Sequence, residues 1–200
     1  MNFLAHLLLA GDQPESIVGA ILADFVRGRQ GEQYSAGIRA GMRLHVRIDS
    51  FTDAHPVVAL SKSRMRPPYR RFAGVLTDVF YDHFLARNWE TYSPAIPLEE
   101  FARQSYAILW DAREILPERL RRMLPRMIEQ DWLTSYRNAE SIDGVLQGLA
   151  RRVKRETPLP HAISVLREHD AELESDFTEF FPQLVQFVTN QPRPRDNGSG

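Results

Sequence analysis

Apolar residues recur at intervals of three or four along most of the chain, and this spacing constrains the fold more than any other feature. Ile17, Ile21 and Phe25 show the pattern in the first quarter of the sequence. Residues at this spacing lie on one face of an α-helix. No stretch combines alternating apolar and polar residues with the Asn-Gly or Asp-Gly turns of a β-hairpin. The sequence therefore predicts an all-α fold, a single-domain helical bundle.

Capping and helix-breaking residues predict where the helices begin and end. Ser35 is a good N-cap, and Pro14 suits the first turn of a helix. Pro56 predicts a break, and Pro125 predicts a kink within a helix. The predicted helices cover about residues 2–10, 13–28, 35–52, 69–89, 98–116, 118–130, 139–153 and 160–189.

The composition is that of one soluble domain. A length of 200 residues with 43% hydrophobic residues suits a single domain, placed here at residues 1–190 with a flexible tail at 191–200. The absence of cysteine excludes disulfides, thiolate chemistry and cysteine-ligated zinc. No apolar run approaches the roughly 20 residues that span a bilayer, and residues 1–10 lack the basic segment of a signal peptide. We therefore expect a cytoplasmic protein that does not bind membranes.

Charge is unevenly distributed, although the net charge is only −1. Residues 27–71 contain ten Lys and Arg against three Asp and Glu, whereas residues 156–200 contain eight acids against three arginines. This asymmetry is typical of a local surface for an acidic partner, and equally of solvated helix faces. The basic run at 151–155 has no interleaved aromatic residues, so it indicates a solvated helix end rather than a contact with nucleic acid.

Ionisable residues stand beside the apolar stripes of several helices, where a soluble helix normally carries none. Asp24 follows Ile17 and Ile21 at helical spacing, and His45 lies one turn from Asp49 on the same face. Four further residues occupy similar positions: His6, Asp78, Asp82 and His83. A buried carboxylate needs a cation or several donors nearby. Imidazoles and carboxylates without thiolates suit a hydrolytic metal site, and a buried His–Asp network that fixes helix packing is the open alternative.

Four blocks in the first ninety residues form an ordered set of motifs: MNFLAHL at 1–7, GAILADFVRG at 19–28, GMRLHVRID at 41–49 and DVFYDHFL at 78–85. Together they resemble the acyl carrier protein phosphodiesterase family, a divergent relative of the helical HD-domain metal phosphohydrolases. The chain departs from the pattern in two places. Leu8 stands where the family's opening block has a histidine, and Asp82-His83 reverses the order of an HD dyad.

The resemblance implies a hydrolase that cleaves holo-acyl carrier protein into apo-acyl carrier protein and 4′-phosphopantetheine. It also implies an HD-like helical bundle and a divalent metal cofactor, with Mn²⁺ preferred. Metal-assisted attack by water suits an anionic phosphodiester. The expected metal ligands are His6, Asp24, His45 and Asp78. The expected catalytic residues, which orient ligands or transfer protons, are Asp24, Asp49, Asp82 and His83.

Arginines of the basic region are expected to bind the substrate. Arg27 and Arg47 are expected to hold phosphate oxygens, because a guanidinium matches them with two parallel hydrogen bonds. Carrier proteins are small and acidic, so a docking surface is expected from basic residues. Its members are Arg43, Arg64, Arg66, Arg70 and Arg71. Holo-acyl carrier protein is thus the expected partner, with no nucleic acid, and the sequence leaves the oligomeric state open.

Two other functions remain open at the level of sequence. One is a helical metal phosphohydrolase that acts on a nucleotide, with Tyr34, Tyr69 or Tyr81 stacking on the base. The other is a helical adaptor without enzymatic activity, in which the Asp and His residues only fix helix packing. A metal analysis distinguishes the adaptor from both enzymes.

Overall fold

A computed structural model describes residues 1–151 and 155–191. Within these ranges the chain forms twelve α-helices, four short 3-10 helices and no β-strand, so the all-α prediction is confirmed there. The predicted tail from residue 192 onward and residues 152–154 of the basic run lie outside the described residues. The α-helices are α1 (Phe3–Leu9), α2 (Pro14–Leu22), α3 (Ala36–Ala54), α4 (Pro56–Arg64), α5 (Ala73–Arg87), α6 (Trp89–Tyr92), α7 (Leu98–Asp111), α8 (Glu118–Glu129), α9 (Trp132–Ser135), α10 (Ala139–Ala150), α11 (Ile163–Glu168) and α12 (Asp170–Thr189). The 3-10 helices span Gly28–Gln33, Arg70–Phe72, Arg113–Ile115 and Leu159–His161.

Capping residues explain where several helices begin. The Ser35 hydroxyl accepts a hydrogen bond from the Ile38 amide at 3.3 Å, which confirms the predicted start of α3. The break predicted at Pro56 is confirmed, since α3 ends at Ala54. Pro56 itself opens α4, and the His55 ring accepts a hydrogen bond from the Val57 amide. The apolar residues of α4 are not gathered on one face, so periodicity alone misses this helix.

Two of the predicted helices differ clearly from those in the structure. The helix predicted to reach residue 28 ends at Leu22. The chain becomes extended by Arg27, and Gly28 adopts a left-handed φ of 57°. The helix predicted over residues 160–189 is divided at His169, whose backbone leaves the helical region. In contrast, α8 continues through Pro125.

The central element is α5, most of whose side chains are buried. Phe80 and Phe84 are fully buried, and α5 packs against α1, α4, α10 and α12. A helix whose apolar residues are not confined to one stripe belongs in a protein interior. Asp78 and Asp82 also lie on α5, so the core helix carries two carboxylates next to α1. Neither α5 nor any other helix among the described residues has the length and apolar character needed to cross a bilayer.

A close contact between α2 and α3 fixes the next part of the site. A Cβ atom on Gly19 would overlap the carbonyl oxygen of Ile38, and one on Gly41 would overlap that of Ser16. Glycine at these two positions therefore lets the two backbones approach more closely than side chains would allow. This contact brings the end of α2, which leads to Asp24, against the middle of α3.

Candidate metal centre

Side chains from α1 and α3 form a compact cluster of two imidazoles and a carboxylate. Asp49 contacts both histidines: its Oδ1 lies 3.1 Å from His6 Nε2, and its Oδ2 lies 3.1 Å from His45 Nε2. The two imidazole rings are stacked, with centroids 3.7 Å apart. One ligand atom of each of the three residues lies within 4.8 Å of the others, which is compatible with a shared divalent cation.

The orientation of His45 is fixed by the backbone of α2. Its Nδ1 lies 2.7 Å from the carbonyl oxygen of Ala20. Because a carbonyl oxygen only accepts, Nδ1 carries the hydrogen, and Nε2 faces Asp24 and Asp49. A hydrogen bond to the second ring nitrogen is the usual way in which proteins orient a metal-ligating histidine.

The donor set fits a hydrolytic metal site. His6 is almost completely buried, and its Nδ1 has no hydrogen-bond partner among the described residues. A buried nitrogen without a partner is uncommon in native proteins, but the nitrogen of His6 that contacts Asp49 is Nε2. Two imidazoles and a carboxylate leave positions open for substrate and water, as catalytic sites do. The expected ligands His6 and His45 are thus brought together, and Asp49 joins them.

Electrostatic interactions within the cluster favour a charged His45. Burial by itself lowers the pKa of His45, but hydrogen bonds and attraction from Asp24 and Asp49 outweigh burial and raise that pKa to about 9. Burial likewise opposes ionisation of Asp49, but contacts with His45 and His6 hold its pKa well below the ordinary range. Burial lowers the pKa of His6. Without a metal, the cluster therefore holds a proton on His45 between two carboxylates.

Asp24 and Asp78 lie at the edge of the cluster. The Oδ1 atom of Asp24 is 3.5 Å from His45 Nε2, and its side chain is 47% exposed, so it faces both the cluster and solvent. The Asp78 carboxylate instead accepts a hydrogen bond from the amino group of Met1 at 2.8 Å. That amino group also lies 3.8 Å from Asp49. A positive charge therefore stands between Asp78 and the cluster, and ligation of a metal by Asp78 stays a prediction.

Asp82 holds the helix that carries His6. It is completely buried, and its carboxylate accepts hydrogen bonds from the backbone amides of Leu4 at 2.8 Å, Asn2 at 3.2 Å and Ala5 at 3.4 Å. Burial raises the pKa of Asp82 to about 7, although the positive Met1 amino group and these three hydrogen bonds act to lower it. Asp82 thus acts on the site through the position of α1.

His83 is also buried and is engaged with another part of the chain. Its Nδ1 donates a hydrogen bond to the Tyr136 carbonyl oxygen at 2.7 Å, and burial lowers its pKa. With a side chain only 2% exposed, His83 has no open face for a bound carrier protein. The predicted transfer of a proton by His83 is tested by none of these contacts and stays a prediction.

The basic region is only partly available to a partner. Arg64 is half-buried, and its guanidinium binds Asp176 of α12 at 3.2 Å. Arg47 contacts the side chain of Gln191. The remaining predicted arginines of the substrate and docking sets have exposed side chains. They are Arg27, Arg43, Arg66, Arg70 and Arg71.

The tyrosines considered for base stacking lie mainly inside the fold. Tyr81 is fully buried and contacts the Ser61 hydroxyl at 2.8 Å. Tyr34 is buried, and its hydroxyl donates a hydrogen bond to the Ile115 carbonyl oxygen. Tyr69 is half-buried and donates to the His161 carbonyl oxygen at 3.2 Å. Their positions offer no exposed ring beside the cluster, so no observation favours a nucleotide substrate.

Similarity to known proteins agrees with this site. A family model described as acyl carrier protein phosphodiesterase matches residues 1–184. The chain belongs to this family. The matched region contains every residue of the cluster.

Relatives in the acyl carrier protein phosphodiesterase family match over nearly the whole chain. A protein of that name from Photorhabdus laumondii is 35% identical over 191 residues, which cover 96% of each chain. One from Enterobacter sp. is 38% identical, covering 96% of this chain and 99% of its own. One from Escherichia coli O157:H7 is 39% identical, covering 92% and 96%. No solved structure matches this chain.

Proposed function

We propose that this protein is a phosphodiesterase that hydrolyses holo-acyl carrier protein to apo-acyl carrier protein and 4′-phosphopantetheine. The observation that carries the proposal is the match to acyl carrier protein phosphodiesterases over residues 1–184, a range that contains the whole His–Asp cluster. The scissile bond joins a serine of the carrier protein to the phosphate of the arm. The site must therefore bind an anionic diester at the surface of another protein.

The cluster supports a divalent metal cofactor, for which we propose Mn²⁺. His6, His45 and Asp49 would hold the ion, with Asp24 at its open side. In this set Asp49 takes the place that the sequence assigned to Asp78, because the Asp78 carboxylate accepts a hydrogen bond from the amino group of Met1. When bound, a divalent cation supplies Lewis-acid stabilisation of the charge on phosphodiester oxygens.

The residues around the cluster have separate tasks in this reaction. Arg27 is exposed three residues after Asp24, so its guanidinium can hold a phosphate oxygen. The Asp24 carboxylate, partly exposed beside His45, accepts a proton from the attacking water as a general base. Asp82 and the Ala20 carbonyl oxygen hold His6 and His45 in position. The bond between phosphorus and the serine oxygen of the carrier protein then breaks, and this oxygen takes up the proton that Asp24 accepted, so that the serine leaves with a free hydroxyl.

The docking surface that we propose consists of Arg43, Arg66, Arg70 and Arg71, which are exposed. Arg64 belongs to it only through the outer part of its guanidinium, because Asp176 already binds that side chain. A group of exposed arginines steers an acidic carrier protein toward the site before close contact forms.

Intact mass spectrometry of the carrier protein tests the function directly. Holo-acyl carrier protein incubated with this protein and Mn²⁺ should lose the mass of the phosphopantetheine arm. Asp49→Asn should reduce the rate by at least about a hundredfold and lower the bound metal, because it removes a carboxylate from the cluster. Asp53→Asn is the matched control: Asp53 lies one turn further along α3, is exposed and pairs with Lys62.

Two results would contradict the proposal. An unchanged carrier mass with metal-loaded wild-type protein would exclude the activity. Full activity of Asp49→Asn with unchanged metal content would leave the activity but reject the cluster as its site. A protein that binds no divalent metal and leaves the carrier intact would favour the adaptor.

A further inference from the structure

A cleft of about 360 Å³ opens between two connecting segments of the chain. One wall is the segment that follows α2, with Phe25, Val26 and Tyr34. The other wall is the connection from α7 to α8, with Ile115 and Leu116. The Tyr34 hydroxyl donates a hydrogen bond to the Ile115 carbonyl oxygen at 3.3 Å, which ties the two walls together. The volume lies within the usual range of small-molecule sites, roughly 300–1,000 Å³.

The lining of the cleft begins one residue after Asp24 in the sequence. Phe25 lines the cleft and directly follows Asp24, whose carboxylate is 3.5 Å from His45 Nε2. Cα atoms of consecutive residues are only about 3.8 Å apart. A ligand whose phosphate lies at the cluster therefore has the cleft within reach of the group attached to that phosphate.

The lining of the cleft is apolar with uncharged polar groups. Phe25, Val26, Ile115, Leu116 and Pro117 supply the apolar surface. Two carboxamides, those of Gln30 and Gln33, line the same space and can both donate and accept hydrogen bonds. At α8, next to this lining, the guanidinium of Arg119 stands 5.5 Å from the Phe25 ring centroid and adds a positive charge.

We propose that this cleft binds the pantetheine arm of the carrier protein, an inference that rests on the proposed hydrolysis of holo-acyl carrier protein. The arm is an uncharged chain with two amide groups, a dimethyl-substituted carbon and a terminal thiol. Its methyl and methylene groups match the apolar walls, and its amides match the carboxamides of Gln30 and Gln33. The phosphate then lies toward Asp24 and the cluster, while the thiol end extends toward Ile115.

Binding of pantetheine, which has no phosphate, tests the cleft separately from catalysis. The metal-loaded protein is titrated with pantetheine, and saturation-transfer NMR reports which ligand protons contact it. The dimethyl protons should give the strongest transfer in the wild type. Ile115→Trp fills the cleft and should weaken binding about tenfold. Gln33→Leu removes one carboxamide and should weaken binding as well.

Leu60→Trp is the matched control for the filling substitution. Leu60 is 51% exposed on α4, against 49% for Ile115, so both tryptophans replace half-exposed aliphatic residues. Leu60→Trp should bind pantetheine like the wild type, and circular dichroism should show the same helix content in all variants. For holo-acyl carrier protein, the KM should rise more with Ile115→Trp than with Leu60→Trp, which lies one turn from Arg64.

The outcomes separate the cleft from the activity. Equal pantetheine binding by Ile115→Trp and Leu60→Trp, or no binding by the wild type, would overturn the cleft assignment even if hydrolysis is observed. Binding that is lost with Ile115→Trp, in a protein that leaves the carrier intact, would support the cleft and reject only the proposed reaction. Dimerisation of the wild type that Ile115→Trp alone abolishes, without pantetheine binding, would assign the cleft to a second copy instead.

Discussion

At the scale of single residues, Asp82 shows how a buried carboxyl group can determine the position of a candidate metal ligand, His6. α1 has only seven residues, and its N-cap Asn2 makes no side-chain capping bond. Helices this short are marginal by themselves. Asp82, which lies on α5, takes the place of the missing cap of α1 by accepting three amide hydrogen bonds at the start of that helix. The position of His6 therefore depends on a residue that does not touch it.

Replacing Asp82 tests this role. Asp82→Ala leaves three buried amides without an acceptor and should lower the free energy of unfolding by about 1–2 kcal/mol, the usual cost of losing a cap. Asp53→Ala, which removes an exposed carboxylate paired with Lys62, should have little effect. Urea unfolding of the metal-free proteins measures both. An Asp82→Ala protein as stable as the wild type would show that α1 does not need this carboxylate.

His45 should make the stability of the metal-free protein depend on pH. Its pKa in the folded state is about 9, above the ordinary value of 6.5, because Asp24 and Asp49 outweigh the effect of burial. A group that binds its proton more tightly when folded stabilises the fold below pH 6.5, and the contribution disappears as pH rises through about 9. The melting temperature of EDTA-treated protein should therefore fall across this interval.

His45→Gln provides the control for this pH dependence. The variant lacks the titrating imidazole, so its melting temperature should fall less between pH 6.5 and about 9. The remaining decline would come from groups such as the Met1 amino group. Burial by itself lowers the pKa of this group, but Asp78 and Asp49 together raise that pKa above the ordinary value. Equal declines in the two proteins would show that His45 is not held charged by Asp24 and Asp49.

The sequence predicts some of this site and cannot predict the rest. Periodicity places His6, Asp24 and His45 beside apolar stripes, and the structure places them around one point. Periodicity does not show that Asp49 rather than Asp78 contacts His6, because that contact depends on how α1, α3 and α5 are rotated against one another. The hydrogen bond between His45 and the Ala20 carbonyl oxygen cannot be predicted from the pattern of side chains either, because its acceptor belongs to the backbone.

At the scale of elements, the contact of α2 with α3 determines the geometry of the site. It places the Ala20 carbonyl oxygen on His45 and leads the chain into Asp24. Both helices were predictable from their spacing and caps, whereas α4 was not, because its apolar residues do not gather on one face. The close approach itself is visible in the sequence only as Gly19 and Gly41, and glycine alone does not identify its neighbour.

Two glycine substitutions test the contact between these helices. Gly41→Ala places a methyl group against the Ser16 carbonyl oxygen and should destabilise the protein by about 1–3 kcal/mol. It should also weaken metal binding, since α3 carries His45 and Asp49. Gly144→Ala in α10 meets nothing within 4 Å and should stabilise the protein by about 0.5–1 kcal/mol. Thermal unfolding and metal titration measure both, and Gly41→Ala behaving like Gly144→Ala would contradict the close contact.

At the scale of the whole molecule, the fold brings the acidic and basic parts of the sequence together. Residues 27–71 have an excess of basic side chains, and residues 156–200 have an excess of acidic ones. α12 packs against α4, where Asp176 binds Arg64 and also accepts a hydrogen bond from Ser61 at 2.7 Å. Part of the positive charge is therefore used within the fold. Arg70 and Arg71 remain exposed and are the better candidates for docking.

Reversing the charge at Arg70 and Arg71 tests whether position or total charge matters for docking. The double change to Glu should raise the KM for holo-acyl carrier protein roughly threefold to tenfold, because each exposed charge pair contributes about 0.2–1 kcal/mol. Turnover at saturation should change little, since these residues contact no member of the cluster in the described part of the chain. A double change of Arg103 and Arg167 to Glu, on α7 and α11, alters the net charge equally and should leave KM near the wild-type value.

Salt dependence gives the second measurement for the same variants. Raising the ionic strength shortens the Debye length, which is about 8 Å under physiological conditions, and should raise the KM of the wild type. The Arg70 and Arg71 reversal should be less sensitive to salt, because the attraction that salt screens has already been removed. The control reversal should keep the salt sensitivity of the wild type. Equal effects of the two reversals would mean that net charge alone governs encounter, and insensitivity to both salt and charge would place docking on another face.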